Sequence, residues 1–187
     1  MKNRKKTVLN VVIILFILSF FITPLGHYGK LFLNQIFSFS PPIVPEVDRK
    51  KITDYSWRLK DAEWNFFNFD RSKGKVIFIN FYASWRLPSE AELKSVQNLY
   101  DDYNDKVDFY IITNEEREPV EEFMEKNDFH FPVTYLIIGD KSSVKVPEKP
   151  PHSYIIDKEG NIIIDKGGIA DWDTAKVRNL LDDLISK

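Results

Sequence analysis

The sequence predicts an α/β fold, a mixed central sheet flanked by helices on both faces, preceded by an N-terminal transmembrane helix. Three observations predict it. Val76–Ser84 opens as a β-branched and aromatic run, as a strand buried on both faces does, and passes through a tight turn into an amphipathic helical stretch. Strand-like and helical periods then alternate toward the C-terminus. Ahead of them, Lys2, Arg4, Lys5 and Lys6 precede the apolar run Thr7–Thr23, interrupted only by Asn10 and Ser19.

Taken in order, residues 1–25 read as an uncleaved signal anchor. The run Thr7–Thr23 has the length of a short span, and neither an Ala-x-Ala site nor a lipobox cysteine follows it. The positive-inside rule then leaves the basic end in the cytoplasm and the remainder outside. In a bacterial cell this is a single-pass inner-membrane protein with its C-terminal domain in the periplasm. Residues 26–51 form a connector, in which His27–Phe39 is a juxtamembrane helix or the end of the anchor. Ser40–Pro45, with three prolines, forms an extended tether.

The folded domain is expected over residues 52–187. Tyr55–Asp61 and Trp64–Phe69 alternate as a leading hairpin, and Arg71–Lys75 turns into the central strand. Pro88–Tyr103 carries Leu93, Val96, Tyr100 and Tyr103 on one helical stripe. Val107–Thr113 is a second buried strand and Pro119–Asn127 a second helix, its proline suited to the first turn. Phe131–Ile138 is a short apolar segment leading to an irregular loop, Gly139–Pro150. Ser153–Asp165 reads as a hairpin turning at Lys158–Asn161. The last helix follows Asp173 as N-cap, with Val177, Leu180, Leu181 and Leu184 inward.

Two segments carry a resemblance. Tyr82-Ala83-Ser84-Trp85-Arg86-Leu87-Pro88-Ser89 resembles the aromatic-Ala-x-Trp-Cys-x-Pro-Cys segment of membrane-anchored thioredoxin-like proteins of the TlpA type. Pro151–Gly160 is similar to that family's Pro-Thr-x-Phe-x-Ile-Asp-x-x-Gly segment, and Trp172 sits where relatives enter their last helix. The resemblance covers about residues 52–187. It implies a thioredoxin-like fold, thiol–disulfide oxidoreductase ancestry, and a cis peptide at Pro151 facing the turn. It also places Arg86 and Ser89 where the family has its two cysteines.

The chain has no cysteine at all. Thiol–disulfide exchange requires a thiolate, so family chemistry is unsupported in this chain acting alone, and the expectation leans away from an enzyme. Arg86 has no nucleophilic role. Ser89 with Glu92 has the form of a capping box, or faces solvent. Trp85 suits either the cover of a groove or half-buried packing beside the turn. Asn80 stands where some thioredoxins carry a buried acid. His152, directly after Pro151, is expected near Arg86–Ser89, but no orienting carboxylate is identifiable for a Ser89–His152 hydrolytic pair.

A net charge of −2 gives no electrostatic footprint for nucleic acid. Three histidines without cysteine identify no metal site, and no cofactor is expected. What survives is a redox-inactive domain that binds an envelope polypeptide across Trp85, Arg86, Leu87, Pro88, Pro150, Pro151 and His152. The alternative is a thiol–disulfide oxidoreductase by family membership.

Overall fold

The computed structural model describes residues 6–14, 26, 29, 31, 33 and 39–187. In the N-terminal unit, residues 6–14 are helical. Residues 15–23 of the expected anchor, and most of the expected juxtamembrane helix, lie outside the described residues. Among the described residues no helix is long and apolar enough to cross a membrane.

The second unit, Ser38–Lys187, holds one seven-stranded sheet in the order β2-β1-β5-β4-β3-β6-β7. Its strands are β1 (Arg58–Lys60), β2 (Phe66–Asn68), β3 (Val76–Phe81), β4 (Val107–Thr113), β5 (Val133–Leu136), β6 (His152–Ile156) and β7 (Ile162–Gly167). The helices are α1 (Leu87–Tyr103), α2 (Arg117–Asn127) and α3 (Ala175–Ser186). β3 is central, parallel to β4 and antiparallel to β6, and every residue in it is buried. Its composition, apolar except for Asn80, has this cause: every side chain of β3 is buried.

The leading hairpin forms as expected, with shorter strands. β5 is a full member of the sheet, parallel to β4 and antiparallel to β1. Only four residues long, it reads in sequence as a mere lead-in, and its strand character comes from partners on both sides.

Helices on both faces were expected, and the structure corrects this. One core cluster takes Leu93, Val96 and Leu99 from α1, Phe123 from α2, and Val177, Leu181 and Leu184 from α3. The opposite cluster contains Leu59, Ile77, Ile79, Phe81, Tyr154 and Ile156 from the sheet, covered by Ile52, Trp57, Phe69 and Val144. Among the described residues no α-helical one contributes to it. The proline-rich loop Gly139–Pro150, unable to continue as helix, supplies part of that cover. Each fully buried large apolar side chain contributes about 1.5–3 kcal/mol, so both faces matter to stability.

The segment expected as a free tether is docked. Phe39 O accepts from Asp171 N–H (3.1 Å), Pro41 O from Lys176 Nζ (3.0 Å) and Ile163 O from Val44 N–H (2.8 Å). Lys50 O accepts from Ile162 N–H and Gly160 O from Ile52 N–H, both at 2.8 Å. The hairpin turn they reach needs glycine. Gly160 has φ +88°, and a Cβ there would lie 2.7 Å from the Tyr55 hydroxyl. The expected N-cap Asp173 is also displaced by one residue: Thr174 caps α3, its side chain accepting from Val177 N–H at 3.4 Å. Asp173 instead accepts from Arg178 Nε (2.7 Å) and Asn98 Nδ2 (2.8 Å).

Candidate functional site: the β3–α1 turn and its buried acid

β3 ends at Phe81, and the chain turns through Tyr82–Arg86 into α1. Two groups hold this turn. Tyr82 N–H donates to Ile112 O at 2.9 Å, and Glu115 takes both the Ser84 N–H (2.7 Å) and the Ser84 hydroxyl. Thr113 Oγ1 donates to the same carboxylate at 3.0 Å and fixes it in place. Arg86 is the N-cap, in extended conformation with no side-chain cap bond, and Pro88 occupies the first turn of α1.

Ser89 is neither a cap nor exposed. It is 0% accessible, and its Oγ accepts from Ala83 N–H at 3.2 Å, pinning the turn against the first turn of the helix. Trp85 is not half-buried packing: it is 74% exposed, with the Arg86 guanidinium 5.6 Å from its ring centroid. Leu87 and Pro88 are half-buried. The Pro150–Pro151 peptide is cis, and Pro151 O accepts from Gly168 N–H at 2.9 Å. Trp85 and Pro150 line one cleft of about 170 Å³, walled by Phe81, Leu136, Val146 and Pro147. Arg86, Leu87, Pro88, Pro151 and His152 are not part of that lining.

His152 does not join Ser89. Strand alternation puts Ser153 with Asn80 on the helical face, and His152 with Phe81 and Tyr154 on the other. The His152 ring stacks on Tyr154 at 4.7 Å, with Nε2 2.7 Å from Asp165 Oδ1. An orienting carboxylate therefore exists, but among the described residues no nucleophile is bonded to the imidazole.

The residue that sequence reasoning missed is Glu92. It is 1% exposed, inside the apolar face of α1. Its Oε1 accepts from Trp172 Nε1 (2.6 Å), Ser153 Oγ (2.9 Å) and Asn80 Nδ2 (3.1 Å), and the Ala170 backbone also bonds the carboxyl. Asn80 Nδ2 further donates to Ser153 Oγ at 2.7 Å. Burial pushes the Glu92 carboxyl up from 4.5 to about 8, against the lowering effect of these donors and of Lys166. Among the described residues, Oε2 of Glu92 and Oδ1 of Asn80 have no partner and are buried. A protonated carboxyl places a donor beside the donors already spent, and this is the form burial favours at neutral pH. Asn80 is neutral as expected, but an acid has entered the same buried cluster from the helix. The signal for it was spacing: positions 92, 96, 99 and 103 form one stripe.

Among the described residues no three His, Asp or Glu side chains converge as metal ligands.

The seven-stranded mixed sheet, the strand–turn–helix and the cis-proline opposite define a thioredoxin-like protein, here without any cysteine. The sequence profile described as "AhpC/TSA family" matches residues 50–164, and the chain belongs to that family. Among curated relatives it is 31% identical to the "Thiol-disulfide oxidoreductase ResA" of Bacillus cereus (strain ATCC 10987 / NRS 248), over 86% of this chain and 87% of that one. It is 27% identical to the "Thioredoxin-like protein YneN" of Bacillus subtilis (strain 168), over 69% and 76%. Its fold is shared with a secreted thiol-disulfide isomerase from Corynebacterium glutamicum, with a TM-score of 0.59 at 16% identity, covering 81% of this chain and 98% of the other.

Proposed function

We propose that this chain is a redox-inactive protein of the TlpA type, anchored in the bacterial inner membrane by its N-terminal run, that binds an extended envelope polypeptide on the periplasmic side. One observation carries the reading. The strand–turn–helix, the cis-proline and the adjoining cleft are retained while both sulfur positions are Arg86 and Ser89. Without a thiolate, exchange chemistry has no nucleophile. The recognition surface needs none. A cleft of about 170 Å³ is smaller than the ~300–1,000 Å³ typical of small-molecule sites, and suits one side chain of a bound segment. Trp85, exposed and rigid, is the type of residue that anchors an interface, and Arg86 beside it favours a carboxylate on the partner.

The test is crosslinking in membranes from the source cells, with and without reductant, comparing the native chain with Trp85→Ala and Arg86→Glu. Truncating an anchor tryptophan costs about 2 kcal/mol or more, so partner recovery should fall by roughly 30-fold, while reductant should change nothing. Undiminished recovery with both variants would move the working surface elsewhere. Recovery of the chain in the soluble fraction, cut near residue 26, would remove the anchor from the proposal.

A further inference from the structure

We propose that the cleft at the opposite end of the sheet, around Arg71, is a carboxylate-binding site. Arg71 Nε donates to Tyr110 Oη at 3.2 Å. Tyr110 Oη is bonded to Ser72 Oγ, and Ser72 Oγ donates to Asp108 Oδ2. Because a carboxylate only accepts, the protons run one way: Arg71 to Tyr110, Tyr110 to Ser72, Ser72 to Asp108. Ser72 and Tyr110 are 0% and 1% exposed, so this relay is fixed within the fold. The guanidinium is also stacked, its Cζ 3.8 Å from the Phe67 ring centroid and 5.5 Å from that of Tyr110.

Held by its face and its Nε, Arg71 leaves both Nη atoms without a protein acceptor among the described residues. Its guanidinium lines a cleft of about 340 Å³ with Lys75, Tyr100, Asn104, Phe109 and Pro132. The cleft exists because the sheet is incomplete there. β5 first pairs opposite Ile111, so Val107–Tyr110 of β4 has a strand neighbour only on the β3 side. Lys75 Nζ contacts Asp108 at 3.0 and 3.3 Å and cancels that charge. Arg71 is then the uncompensated cation of the lining. Two parallel N–H donors on a pre-held planar group match the two oxygens of a carboxylate. A single surplus positive charge, next to Asp108, suits a monoanion better than dianionic phosphate. The carboxylate belongs either to a small organic acid or to an acidic side chain of a bound polypeptide.

The experiment follows the Arg71 Nε–Hε resonance in the full chain, in detergent micelles with ¹⁵N-labelled arginine. The probes are N-acetylglycine, N-acetyl-Gly-Glu-Gly-amide, its Gln counterpart and inorganic phosphate. A saturable shift with a carboxylate probe and none with the Gln peptide is expected, and Arg71→Lys, which keeps charge but loses the fork and is followed through the side-chain amide of Asn104 in uniformly ¹⁵N-labelled chain, should weaken binding at least about tenfold. Comparable affinity for the two carboxylate probes assigns the site to small acids, whereas tenfold tighter peptide binding assigns it to a polypeptide side chain. No saturable shift with either carboxylate overturns the proposal. An equal response to phosphate, or full affinity in Arg71→Lys, overturns it also, since either reports charge attraction without a built site.

Discussion

Replacing Glu92 by glutamine should change the pH dependence of stability more than stability itself. The carboxyl's ordinary value is 4.5, and burial raises it to about 8 in the folded chain. The folded state therefore holds this proton more tightly than the unfolded state. Its contribution is fully present below about pH 4.5 and is lost progressively as pH rises to about 8, beyond which it is constant. At 1.36 kcal/mol for each pH unit of difference, the loss across that window is roughly 4–5 kcal/mol, an order-of-magnitude figure. Glutamine keeps an oxygen for Trp172, Ser153 and Asn80, and puts an N–H where the carboxyl proton sits, so near pH 5 the two proteins should differ by about 1 kcal/mol. Urea denaturation of both proteins from pH 5 to pH 9 isolates the effect, because other titrating groups cancel in the difference. The variant should gain on the native chain steadily up to about pH 8 and then run parallel to it. Curves that stay parallel throughout would mean that Glu92 is ionised in the fold and that its three donors outweigh burial.

The purified chain should show no turnover in insulin reduction or disulfide isomerisation assays, since each requires a protein thiolate; measurable activity in cysteine-free protein would contradict this. Arg86→Cys with Ser89→Cys should restore a dithiol that oxidises to a bridge, read by alkylation and mass shift; two thiols that never pair would show that the turn has diverged. Thr174→Ala should lower stability by about 1 kcal/mol through loss of the α3 cap, with Asp173→Ala costing less because its Arg178 contact is partly exposed; the reverse order in thermal melts would restore Asp173 as the cap. Trp172→Phe should cost about 1–3 kcal/mol at pH 6, because it removes the Nε1–Glu92 bond inside the core while keeping a ring against Phe78; an unchanged denaturation midpoint would show that bond to be dispensable.

Local patterns carried most of the fold. β4 occupies Val107–Thr113 as read from its apolar run, and the β6–β7 turn falls at the glycine that permits it. What was not legible depends on long-range partners. β5 is a strand because β1 and β4 flank it; α1 and α2 share one face because β3, β4 and β5 are successive parallel neighbours with crossovers of one hand, and α3, which follows β7, packs into the same cluster. At the site, the cis peptide at Pro151 was legible from the motif alone, but Ser89 was misread as a cap or a surface residue. A serine before a glutamate looks like a helix start in one dimension. Only the approach of Ala83 and Trp172, the latter 80 positions from Glu92, makes these two residues interior.

The docked segment 39–52 has a practical consequence. It lies along β7, the outermost strand on that side, and satisfies main-chain groups of Ile162 and Ile163. A protein begun at residue 52, where composition suggests the domain starts, would present that strand bare, and its isoleucines 162–164 are the kind of flat, uncharged segment that recruits a strand from a neighbouring molecule. Such a truncation should self-associate with concentration although every residue of the Arg86 turn is present, whereas one begun at residue 39 should stay monodisperse in gel filtration. Preparations meant to trap a partner need those additional residues, or the strand recovered on the column will be the protein's own.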